Sequence, residues 1–210
     1  MTRDQLPLIG LCLLALMLLP PVRHAVESSM TTHMLLQYPA LLLAGALLIG
    51  GVPRRGQRGL QRFNQLGITG LLGAALTMAL LMVPRVLDMA LVDARVESLK
   101  LLALVASGAA LALSWQRAGT VIQAFFLGNV LPMLAVAGTL YQDSPARLCN
   151  AYRLDDQQSL GVALVAVSIG ILAAWLLRCA FKAAAQTESA ARDRPGSASR
   201  RQRAASGDAG

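Results

Sequence analysis

Six apolar stretches separated by polar segments organise this chain of 210 residues. They lie near Leu6–Val22, Ser29–Val52, Leu66–Pro84, Ser98–Trp115, Gly119–Tyr141 and Leu160–Arg178. Each approaches the roughly 20 residues a helix needs to cross a hydrocarbon core of about 30 Å. A backbone in lipid must satisfy its own hydrogen bonds, so helices are the expected solution. A membrane β-barrel would need alternating segments of about ten residues, and this pattern has none. The expected fold is therefore all-α, a polytopic bundle of six transmembrane helices over residues 1–183. From Ala184 onward Ala, Ser, Gly, Arg and Asp dominate without apolar periodicity. Residues 184–210 are expected to form a disordered, basic, cytoplasmic tail.

Composition agrees with the pattern. Hydrophobic residues make up 55% and charged residues 14%, against roughly 25% charged in soluble domains. The net charge of +8 does not point to nucleic acid, because no basic run is interleaved with aromatics. The lipid bilayer is the expected partner.

The placement of charge gives an orientation instead. The segment between the second and third stretches holds Arg54, Arg55, Arg58 and Arg62 with no acid, and Arg3 and Arg117 fall on the same side. The C-terminal part adds Arg178, Lys182, Arg192, Arg194, Arg200, Arg201 and Arg203. On the opposite side Arg23, Arg85, Arg95, Lys100, Arg147 and Arg153 alternate with Glu27, Asp88, Asp93, Glu97, Asp143, Asp155 and Asp156. Both termini are expected in the cytoplasm, with the protein in a bacterial inner membrane. The first stretch reads as an uncleaved helix ending at Pro20-Pro21, since no small-residue cleavage site follows it.

Candidate chemistry concentrates in His24–Gln37, which joins the first two spans at the outer surface. On a continuous helix Glu27, Met30, His33, Met34 and Gln37 would share one face of about 120°. Polar groups at the mouth of a span are functional candidates by default. Imidazole, thioether and carboxylate together form a ligand set that copper accepts, with Met suited to Cu(I). Met17, Met30, Met34, Met78, Met82, Met89 and Met133 all fall towards the outer side of this topology. Methionine also serves as a flexible core filler.

Cys149 in the outer loop, with Asn150, is a further candidate ligand; the alternative is a buried small hydrophobe. Cys12 and Cys179 are far from it in sequence, so no disulfide is expected. Asp93 and Glu97 stand one turn apart, and an ion pair with Lys100 is the expected arrangement. Arg147 and Arg153 with Asp155 and Asp156 read as a salt-bridged lid. Gly67, Gly70 and Gly73 read as close helix packing, and Gln123, Asn129 and Pro132 as hydrogen bonding and a kink in the fifth span. No Ser/His/Asp set or paired catalytic carboxylates stand at a spacing suited to catalysis, and the protein is not expected to be an enzyme.

The run His33-Met-Leu-Leu, followed by Pro39 and the Leu-rich segment to Gly45, resembles the signature helix of the CtaG-type cytochrome c oxidase assembly factors. The likeness covers about a dozen residues. The family usually carries a second His one turn earlier, where Ser29 stands here, and its members are typically longer. The resemblance implies a copper-handling assembly factor for a respiratory haem–copper oxidase, with an oxidase subunit or copper carrier as partner. Its metal ligands would come from His24, Glu27, Met30, His33, Met34 and Cys149. A haem- or quinone-associated subunit of a respiratory complex, with His33 as axial ligand, is the alternative. A non-catalytic membrane scaffold is another.

Overall fold

A computed structural model describes residues 5–53, 55–57, 59, 64–149 and 151–192, all helix and connecting turns without a strand among them. In chain order the helices are α1 (Gln5–Leu18), α2 (Pro20–Glu27) and α3 (Met30–Gly51), then α4 (Ile68–Leu81) and α5 (Pro84–Val92). They are followed by α6 (Ala94–Trp115), α7 (Thr120–Asp143) and α8 (Leu154–Arg192). Helices α3, α6, α7 and α8 are each long and apolar enough to cross a membrane. The pairs α1–α2 and α4–α5 meet that test only jointly, and they are bent by 70° and 76°. The described residues therefore carry four such helices, or up to six if each bent pair is one span.

Both bends have the same cause. A residue before proline is driven out of the helical region by the proline ring. Leu19 precedes Pro20 at φ −61°, ψ 126°, and Val83 precedes Pro84 at φ −69°, ψ 120°. Each proline then opens a new helix, where its missing N–H costs nothing. The expected stop at the proline pair is thus a corner, with α2 beyond it. The third stretch likewise stops at Leu81 and resumes as α5.

The chain divides into two units, Met1–Ser168 and Ile169–Gly210. In the second, the described residues 169–192 continue α8, so helix extends past Ala184, where a tail was expected. The good helix formers Ala183, Ala184, Ala185 and Gln186 account for this. Residues 193–210 of the expected tail lie outside the described residues.

In the first unit α3 and α6 form the central crossing. A Cβ on Gly45 would strike the Val105 carbonyl oxygen, and one on Gly108 the Leu42 carbonyl oxygen. The backbones touch because neither position carries a side chain. Gly67 and Gly70 bring α4 against Ser114 and Ala110 of α6, while a Cβ on Gly73 would meet nothing within 4 Å among the described residues. Packing thus uses two of the three expected glycines. Leu72, Leu76, Leu80, Leu99, Leu102 and Phe125 point outward. In lipid such an apolar exterior is ordinary.

Candidate functional site

The site grows from the junction of α2 and α3. The helix face expected over Glu27–Gln37 is broken at Ser28-Ser29, and the Ser29 side chain caps α3 by accepting from the Thr31 N–H at 3.3 Å. Glu27 therefore stands on α2, while Met30, His33, Met34 and Gln37 stand on α3, all four buried. A π-helical turn over His33–Gln37 widens the spacing, so His33 and Gln37 both face inward. Such single turns often mark functional positions.

His33 is 0% exposed and both ring nitrogens are engaged. Nδ1 lies 2.6 Å from the Tyr152 hydroxyl, and Nε2 lies 3.0 Å from the Lys100 ammonium. An ammonium only donates, so Nε2 accepts and the ring proton sits on Nδ1, donating to Tyr152. The Tyr152 hydroxyl in turn donates to the Glu27 carbonyl at 3.2 Å. Lys100, 2% exposed, also donates to Gln37 Oε1 at 3.2 Å and faces Glu27 Oε1 at 3.7 Å. Gln37 Nε2 donates to the same Glu27 oxygen at 3.1 Å.

Arg23 extends this knot to Glu97 of α6. Its Nε meets Glu27 Oε2 at 3.1 Å, and its guanidinium pairs with Glu97 Oε2. Two cations thus face two carboxylates, the condition under which charges tolerate burial. One atom is left over: Glu97 Oε1 is buried without a hydrogen-bond partner among the described residues. The expected pairing of Glu97 with Lys100 is replaced by the pair with Arg23. Asp93 instead caps α6 by accepting from the Arg95 N–H at 2.8 Å.

Beside the knot lies a cluster rich in sulfur. Met17 of α1, Met30 and Met34 of α3 and Cys149 of the α7–α8 loop belong to one buried core, with Met78 of α4 and Met82 just after it packed against it. Met89 is exposed. Cys149 is 1% exposed, its Sγ 3.9 Å from the Pro84 carbonyl oxygen, and all three cysteines are free thiols. Burial pushes the Cys149 thiol up to about 12, with the Asp88 carboxylate adding in the same direction. Burial also raises the Tyr152 hydroxyl above its ordinary range, again helped by nearby negative charge.

The expected site residues therefore separate. Met30, His33, Met34 and Cys149 are buried in the first unit, and Glu27 reaches the knot from α2. His24 is exposed on α2, so a site holding both histidines does not form. No group of three or more His, Cys, Asp or Glu side chains is arranged to hold a metal among the described residues. The donors that fit a soft cation are thioethers with one thiol, and His33 could join them only if Nε2 were released. Asn150 lies outside the described residues. The expected lid reduces to an exposed Arg153–Asp155 pair at 3.5 Å, worth little. Asp156 instead accepts from the Ser29 hydroxyl at 3.3 Å.

Lys100, Arg23 and Tyr152 escaped the sequence reading as site residues. A lysine in an apolar span is costly and functionally suspect, but placing the start of the span at Ser98 made Lys100 look interfacial. Tyr152 carried no local signal. No protein-family model, curated protein or solved structure matches this chain.

Proposed function

We propose that this protein is a multi-pass inner-membrane protein that binds Cu(I) at its outer face and passes it to a respiratory haem–copper oxidase during assembly. The observation that carries this reading is the gathering of Met17, Met30, Met34, Met78 and Met82 with Cys149 in and around one core, from separate segments of the chain. Thioethers and thiols select Cu(I) over harder cations. Thioether ligands bind a soft ion without a proton leaving, so cargo transfer needs no enzymatic turnover. The arginine-rich segment between α3 and α4, together with the basic C-terminal part, supports an outward orientation of the cluster. The signature resemblance around His33 supports the oxidase as client.

The test is competition for Cu(I) between the protein and a chromogenic chelator, without oxygen. Met30→Leu with Met34→Leu should weaken binding at least tenfold, because Leu-for-Met swaps keep volume and usually cost less than about 1.5 kcal/mol. Met89→Leu should change nothing. Equal affinity in wild type and the double variant would reduce the methionines to core packing and end the copper reading.

A further inference from the structure

Lys100 is seated against α3, and a second acceptor stands on its own helix. In the structure its ammonium donates to His33 Nε2 at 3.0 Å and to Gln37 Oε1 at 3.2 Å. The second acceptor is Glu97 Oε1, a buried carboxylate oxygen without a hydrogen-bond partner among the described residues. A buried acceptor left without a donor is costly. Glu97 and Lys100 lie three residues apart on α6, the spacing that makes side chains neighbours on a helix surface. A lysine has a flexible four-carbon stem and a point charge that any acceptor satisfies, so moving between these seats needs rotamer changes rather than a helix shift. Arg23 already holds the other Glu97 oxygen, which keeps the receiving carboxylate in place.

His33 is prepared for the consequence. A histidine that ligates a metal almost always donates its other ring N–H to a fixed acceptor, which sets tautomer and orientation. Here Nδ1 donates to the Tyr152 hydroxyl at 2.6 Å, and Tyr152 is tied to the Glu27 carbonyl at 3.2 Å. The acceptor lone pair is on Nε2, the atom that Lys100 covers. The lysine thus stands where a monovalent cation would stand, with Glu27 Oε1 as countercharge 3.7 Å away.

We propose that Lys100 is a tethered cation that blocks His33 and gates it: its ammonium moves to Glu97 Oε1, and Nε2 is freed to join Met30 and Met34 around Cu(I). The exchange replaces one single positive charge by another beside Glu27. Without cargo the knot is closed by the protein's own ammonium, so no empty, charged cavity stands open in the membrane. This gate rests on the copper reading above and adds to it a residue that opposes binding.

The experiment is a double-mutant cycle on Cu(I) affinity by chelator competition, in the full-length protein. Lys100→Leu removes the ammonium and adds no metal donor. Binding is weakened by the fraction of time the site is blocked, so Lys100→Leu should tighten Cu(I) binding about tenfold or more. Glu97→Gln should weaken binding when Lys100 is present and have no effect beside Lys100→Leu. A role in packing alone would not produce that dependence. Selective ¹⁵N labelling gives a second readout without mutation, because the chain has two histidines and two lysines, Lys100 and Lys182. Adding Cu(I) to wild type should shift the His33 Nε2 and Lys100 Nζ signals together. Wild-type binding that depends on Met30 and Met34 but is unchanged or weaker in Lys100→Leu, with His33 and Lys100 signals unmoved, overturns the gate and leaves the copper site standing. No Cu(I) binding in wild type or in Lys100→Leu overturns both.

Discussion

Adding one methyl group at Gly108 tests the central crossing of the bundle. A Cβ there would meet the Leu42 carbonyl oxygen, and it would stand 2.6 Å from the Leu42 carbonyl carbon and 2.7 Å from its Cα. Those atoms are backbone, so no rotamer change relieves the contact and α3 must move away from α6. Overpacking of this kind costs about 1–3 kcal/mol, and a rigid backbone neighbour places Gly108→Ala at the upper end. Gly45 faces Val105 at the same crossing, 2.8 Å from its carbonyl carbon. Once the helices have separated, Gly45→Ala adds less than its own single cost, because the two substitutions share one displacement. Gly73→Ala is the comparison, since nothing lies within 4 Å of its Cβ position. There the gain in helix propensity, up to about 1 kcal/mol, should be felt alone. The assay is loss of helical circular dichroism as a denaturing detergent is titrated into mixed micelles. Unfolding of Gly108→Ala at the same detergent fraction as Gly73→Ala would refute the close crossing.

Three further outcomes follow from the same contacts. With its thiol pushed up to about 12, Cys149 stays protonated near pH 8, and maleimide should label it at least a hundredfold more slowly in folded than in unfolded protein; equal rates would contradict its burial. The sign of the linkage is destabilising above about pH 9, where the unfolded thiol ionises and the folded one does not. Arg23→Ala strips its paired cation from a Glu97 that is 4% exposed; it should cost about 3 kcal/mol, the low end for breaking a buried pair, because Arg23 itself is 35% exposed, and an unchanged detergent midpoint would refute it. Reporter fusions at Arg58 and near the C-terminus should read cytoplasmic, those near Asp93 and Cys149 external, and an external signal at Arg58 would invert the orientation.

The hydrophobic pattern made the helical class and most long helices legible. Ser29–Val52 anticipates α3 and Gly119–Tyr141 anticipates α7 within two residues at each end. The corners were less legible, because a proline marks a break without saying whether a new helix follows. Pro20 and Pro84 each open one. Within the site, Met30, His33, Met34 and Gln37 were readable as one inward face of one helix. What closes His33 was not: Lys100 comes from α6 and Tyr152 from the α7–α8 loop, contacts separated by 67 and 119 positions. His24, expected to fold back towards that face, stands exposed on α2. The methionines carry only hydrophobic weight in a periodicity, and their convergence depends on how α1, α3 and α4 pack.

A Cu(I) carrier of this kind holds its soft cation mainly by sulfur. X-ray absorption at the copper edge of anaerobically loaded, full-length protein tests it most directly. Bound Cu(I) should show a first shell dominated by sulfur and at most one nitrogen, losing sulfur scattering in the Met30→Leu, Met34→Leu variant. A first shell of nitrogen and oxygen alone, or no copper retained after the chelator wash, would contradict it.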